Sequence, residues 1–84
     1  MTKRFYDRWH FVRDEPTPPG IVFSAWVCYM PSYQGVPIIT GVRDFHPHIQ
    51  AFVKDGYPGC LPYDEIIGFW PVMRPEVPRM EDWK

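Results

Sequence analysis

The stretch Ile21-Val22-Phe23-Ser24-Ala25-Trp26-Val27-Cys28-Tyr29-Met30 decides the reading of this chain. β-branched and aromatic residues dominate it, and these suit a pleated, packed surface. Successive side chains on a strand point to opposite faces. One face therefore carries Ile21, Phe23, Ala25, Val27 and Tyr29, and the other Val22, Ser24, Trp26, Cys28 and Met30. Both faces are largely apolar, which predicts a central strand with something covering each side.

Working outward, Pro31-Ser32-Tyr33-Gln34-Gly35 has the composition of a hairpin loop. A second strand is expected from Pro37 to Phe45, with the proline at its start. Gly41 inside it predicts a bulge or a close backbone approach. Residues 46–56 read in two ways. Pro47 opens a short helix, or Ile49, Ala51 and Val53 form a third strand that ends at Asp55-Gly56; the strand is the preferred reading. Tyr57 to Pro62 reads as a loop, and Asp64 to Val72 as the last strand. Upstream, Phe5, Trp9 and Val12 fit a helical face, while Phe5, Trp9 and Phe11 fit an alternating strand. Residues 13–20, with Pro16, Pro18, Pro19 and Gly20, read as a loop. Beyond Pro75 the chain is charged and broken by proline, so residues 76–84 are expected to be an extended or frayed tail. There is no internal repeat and no domain boundary. The expectation is one domain over 1–84, mostly β with a small α+β arrangement as the variant. It would be a compact antiparallel sheet of three to five strands with irregular, proline-rich ends.

A chain of 84 residues has little core to spend. Here the mass comes from six Phe, five Tyr and four Trp, each able to bury roughly 150–250 Å². Trp9 and Trp70 sit in proline-framed segments near the two ends. With Trp26 they are expected to be structural core, and Trp9 and Trp70 to approach each other as staples. Function is then to be sought in the loops between them, around His46–His48 and Tyr57–Cys60.

The net charge is −1, which argues against a nucleic-acid binder, usually basic, and against an acidic mimic of nucleic acid. The mildly basic residues 1–14 read as a solvated terminus. No apolar run opens the chain, and none approaches the roughly 20 residues of a membrane-spanning helix. A cytoplasmic protein, in the cytosol of a host cell, is the expectation. Cys28 and Cys60 make no disulfide framework and read as free thiols, Cys28 buried and Cys60 exposed.

The ends of the chain also resemble a known family. Trp9-x-x-Val12-Arg13-Asp14-x-Pro16, the strand ending Trp26-Val27-Cys28-Tyr29, and the closing Ile67-Gly68-Phe69-Trp70-Pro71-Val72-Met73 are similar to a small phage and prophage family, domain of unknown function 551. The likeness covers most of residues 9–78 and is concentrated at the ends. Two features depart from the family pattern. Pro16 lies one place early relative to Asp14, and Pro71 follows Trp70 directly. The middle, with His46-Pro47-His48 and Tyr57-Pro58-Gly59, has no counterpart. The resemblance implies a phage accessory protein with a small antiparallel sheet, and supplies no reaction and no catalytic residues.

Chemistry-bearing residues are few. Asp44, His46 and His48 have a metal flavour, but a site needs further ligands, and the competing reading is a turn with solvated histidines. Cys60 lacks a local catalytic motif, and Cys28 sits in the most apolar strand. Asp64 and Glu65 are adjacent, so on a strand they would face opposite ways and form no dyad. No nucleophile elbow, phosphate loop or dinucleotide fingerprint is present. Tyr33, Tyr57 and Tyr63, in or beside loops, are candidate contact residues together with His46 and His48, because exposed Tyr anchors interfaces. No cofactor, metal or catalytic residue is expected. The expected activity is non-enzymatic protein–protein contact, either with a host protein such as a defence effector, which the chain would inhibit, or with a second copy through an exposed strand edge. A small-ligand or metal-binding module centred on Asp44, His46 and His48 is the alternative. No nucleic-acid or membrane partner is expected.

Overall fold

The computed structural model describes residues 5–73. The tail expected over 76–84 lies outside them. The strands are β1 (His10–Phe11), β2 (Phe23–Tyr29), β3 (Ile38–His46), β4 (Ala51–Val53), β5 (Cys60–Pro62) and β6 (Gly68–Val72), with one 3₁₀ turn at Tyr63–Glu65. All pairings are antiparallel. They form a single sheet in the order β1-β6-β2-β3-β4-β5. The fold is therefore mostly β, as the alternating segments predict.

The sheet has six strands, against the three to five expected. The extra pieces are short. Cys60–Pro62, read from sequence as loop, pairs with β4 through Val53↔Cys60, Phe52↔Leu61 and Ala51↔Pro62. Its proline is tolerated because, among the described residues, β5 is an edge strand with no further neighbour to receive an amide. The last strand begins at Gly68 and not at Asp64. Tyr63 and Ile66 turn into the core there, and burying both requires a tight turn in place of an alternating strand. Residues 47–50 form a turn, with Ile49 N–H bonded to the His46 carbonyl and Gln50 N–H to the Pro47 carbonyl. Only Ala51–Val53 of the preferred third strand is extended.

β2 is the central long strand, flanked by β3 and β6. The β2–β3 hairpin turns through Pro31–Gly35, where Gly35 has φ 70°. The register shifts between Trp26 and Cys28. Trp26 pairs with Val42 but Cys28 pairs with Ile39, so β3 carries one extra residue around Gly41. This is the bulge that the glycine predicts.

One face of the sheet holds the core. Phe23, Ala25 and Val27 of β2, Phe45 of β3, Phe52 of β4 and Phe69 of β6 are buried together with Tyr63 and Ile66. The rings mesh at offset angles: Phe45 and Phe52 at 5.0 Å, Phe23 and Phe69 at 5.4 Å, Phe52 and Phe69 at 5.7 Å. Such tilted contacts exploit the ring quadrupole beyond simple burial. Phe5, Val12, Tyr29 and Leu61 pack around this cluster.

A buried histidine fastens β1 to the core. His10 is 2% exposed and its ring lies parallel to Phe69 at 5.0 Å. Nδ1 meets the Glu15 carboxylate at 2.9 Å, and Nε2 meets the Phe5 carbonyl at 2.7 Å. Both partners are hydrogen-bond acceptors, a carboxylate and a backbone carbonyl. The Tyr63 hydroxyl donates to the Glu15 carbonyl at 2.5 Å, tying the segment after β1 to the 3₁₀ turn. Gly68 lets β1 lie this close to β6, because a Cβ there would stand 2.8 Å from the His10 carbonyl oxygen.

Candidate interaction surface

Strand alternation sends the remaining side chains to the second face of the sheet. There β1 contributes Phe11, and Trp9 precedes it. β6 contributes Trp70 and Val72, β2 contributes Ser24, Trp26 and Cys28, and β3 contributes Ile39, Val42 and Asp44. No described residue packs this face as the aromatic cluster packs the other. Trp26 is 42% exposed and Ile39 58%, with Phe11 and Val42 also exposed. The two apolar faces of β2 imply cover on both sides; among the described residues one face is core, and no comparable cluster packs the other.

The same geometry corrects the placing of the tryptophans in the core. Trp9 and Trp70 are only partly buried and Trp26 is exposed. The physical reason is parity. Val27 and Phe69 pair across β2 and β6 on the core face, so the neighbouring pair Trp26 and Trp70 must face outward. The expected approach of Trp9 to Trp70 is real. Their rings meet edge to face at 5.6 Å, and Trp9 stacks on Phe11 at 6.3 Å. They fasten the sheet ends from outside. Trp9, Trp26, Trp70 and Ile39 line an apolar trough of about 410 Å³.

Beside the trough lies a second depression of about 400 Å³, lined in part by Ser24, Val42, Asp44, Val53, Lys54 and Val72. Ser24 sits directly opposite Asp44 in the β2–β3 ladder and donates a hydrogen bond to its carboxylate at 2.7 Å. This pairing satisfies a hydroxyl that is almost wholly buried.

The sequence-predicted contact residues fare differently from one another. Tyr33 stands 81% exposed at the tip of the β2–β3 hairpin, and Tyr57 is exposed, with the Lys54 ammonium 4.8 Å from its ring centre. Tyr63 is no surface residue. It is buried beside Phe45 and Phe69, because the 3₁₀ turn aims it inward. Burial first, and then the negative charge of Glu15, raise its pKa above the ordinary 10.0. His46 and His48 have ring centres 5.9 Å apart. Among the described residues no group of three or more His, Cys, Asp or Glu side chains is gathered for a metal ion, so Asp44 does not join the two histidines. Cys60 is exposed as expected, whereas Cys28 is half-buried, since it lies on the open face. Asp64 and Glu65 are exposed on the 3₁₀ turn and not on a strand.

The predicted search area, the loops around His46–His48 and Tyr57–Cys60, thus lies apart from the tryptophan trough. The signal for it was present in the two-sided hydrophobicity of β2, read as double cover. Among the described residues no helix is long and apolar enough to cross a membrane. Comparison of the chain with family models, with curated proteins and with solved structures finds no match in any of the three.

Proposed function

We propose that this chain is a non-enzymatic accessory protein of phage or prophage origin that works by protein–protein contact in the host cytosol. Its contact surface is the open tryptophan face. The resemblance of the chain's two ends to a phage family supports the setting. One observation carries the mode of action: Trp9, Trp26, Trp70, Phe11, Ile39 and Val42 share a single sheet face, and no described residue packs on it as the Phe cluster packs the other. Monomeric proteins rarely leave large contiguous apolar patches exposed, and Trp at the centre of a patch is the residue most enriched in binding hot spots. The partner is a host protein whose activity the chain blocks by occupying its surface.

The test is affinity capture from host lysate with mass-spectrometric identification, run in parallel on wild type and Trp26→Ala. The expected result is one stoichiometric partner that wild type retains and Trp26→Ala loses. Equal capture by both proteins sinks the assignment to this face.

A further inference from the structure

We infer that the trough formed by Trp9, Trp26, Trp70 and Ile39 is a receptor for a proline-rich segment in polyproline II conformation, with an acidic residue beside the prolines. The inference rests on the reading of this face as a protein-contact surface and specifies what the partner presents there.

Three features of the trough select this ligand. The first is shape. Trp9 and Trp70 meet edge to face at 5.6 Å, and the exposed Trp26 stands directly opposite Trp70 in the β2–β6 ladder. The result is a row of indoles with an aliphatic side chain at one end, bordering an open depression of about 410 Å³. Flat aromatic walls receive pyrrolidine rings, which are rigid and already extended, so little ordering entropy opposes their binding.

The second is hydrogen bonding. An indole offers one N–H donor and no acceptor. Among the described residues the indoles of Trp9, Trp26 and Trp70 make no hydrogen bond, and no acidic or amide side chain lines the trough. A complementary ligand must therefore bring acceptors and need none in return. Polyproline II segments meet this condition: their carbonyls have no internal partner, and proline has no backbone N–H. Two troughs set face to face do not, because indole donors would then oppose indole donors.

The third is charge. The trough continues through Trp9 onto Phe11, and the Arg13 guanidinium lies 5.9 Å from the Phe11 ring centre. Arg13 is 84% exposed, with the Asp14 carboxylate 4.0 Å from its Nε and Asp64 lining the same depression. A cation at this rim favours a carboxylate next to the prolines.

The probe is a synthetic decaproline peptide ending in two glutamates, titrated into the full chain with tryptophan emission and indole N–H chemical shifts as readouts. The expected result is saturable binding with Kd below about 1 mM, and shifts confined to the trough indoles. Affinity should fall about tenfold or more in Trp26→Ala or in Ile39→Ser, the second variant serving if the first fails to fold. The weakening by Arg13→Ala should appear with the glutamate-tailed peptide and vanish with plain decaproline. No saturable change at 1 mM, or equal binding of a glycine–serine peptide of the same length and charge, overturns the inference. So does a dimer in sedimentation that Trp26→Ala disperses, which assigns the face to a second copy. If lysate capture depends on Trp26 while the peptide does not bind, this inference fails and the contact-surface reading stands. If neither depends on Trp26, both fail.

Discussion

At the scale of single residues, two buried polar groups decide how the start of the chain is held. His10 places both ring nitrogens on acceptors and its flat face on Phe69. Removing it leaves a cavity against Phe69 and orphans the Phe5 carbonyl. His10→Ala should therefore cost on the order of 2–4 kcal/mol in urea denaturation, with a smaller loss for Glu15→Gln, which keeps an acceptor in place. Tyr63 is the second group. Its hydroxyl is neutral and bonded to the Glu15 carbonyl, and burial together with the Glu15 charge raises its folded pKa above 10.0. Above pH 10 the unfolded chain gives up the phenolic proton while the folded chain keeps it. The stability from this group is thus complete below about pH 10 and lost as pH rises through the raised folded value. Thermal melts from pH 8 to 12 should show a fall above pH 10 that Tyr63→Phe makes shallower. The sequence placed Tyr63 in a contact role because it stands beside a loop. Nothing local reveals that a 3₁₀ turn aims it inward, since only the core it completes determines that.

At the scale of elements, the strands differ in how far local sequence specifies them. β2 and β3 are legible because seven and nine residues of strand composition flank a proline–glycine turn. β1 and β5, with two and three residues, have no readable period and exist only because a neighbour accepts them. β1 depends on the close approach at Gly68, where a Cβ would stand 2.8 Å from the His10 carbonyl oxygen. Gly68→Ala should loosen β1 before anything else. Hydrogen exchange should show lost protection at Val12 N–H, which bonds to the Ile67 carbonyl, while the β2–β3 amides stay protected. Uniform loss across the sheet would mean that β1 is part of the cooperative core. β3 also shows how an edge is managed. β4 covers only Asp44 to His46, so among the described residues Ile38 to Arg43 have no strand on their outer side. The bulge at Gly41 and the Lys54 ammonium, 3.3 Å from where a Gly41 Cβ would lie, break the regularity that edge-to-edge pairing needs.

At the scale of the whole molecule, one sheet presents two apolar faces that do different work. A Phe cluster fills one, and tryptophans cover the other without being enclosed by any described residue. The two kinds of aromatic should separate in a stability series. Phe52→Ala, at a fully buried position, should cost about 3–5 kcal/mol. Trp26→Ala, at an exposed one, should cost about 1 kcal/mol or less. Comparable losses at the two positions would show that the tryptophan face is structural after all. By itself the sequence determined a mostly β chain, the central hairpin, the bulge at Gly41 and the meeting of Trp9 with Trp70. These follow from composition, from period-two alternation and from the special backbone of glycine and proline, all of which act locally. Which apolar face of β2 is closed, where Tyr63 points, and whether two or three residues count as a strand were decided only by the tertiary structure. The two faces of such a strand are chemically alike, and only the Phe69–Val27 pairing, together with the segments that fold over it, breaks that tie.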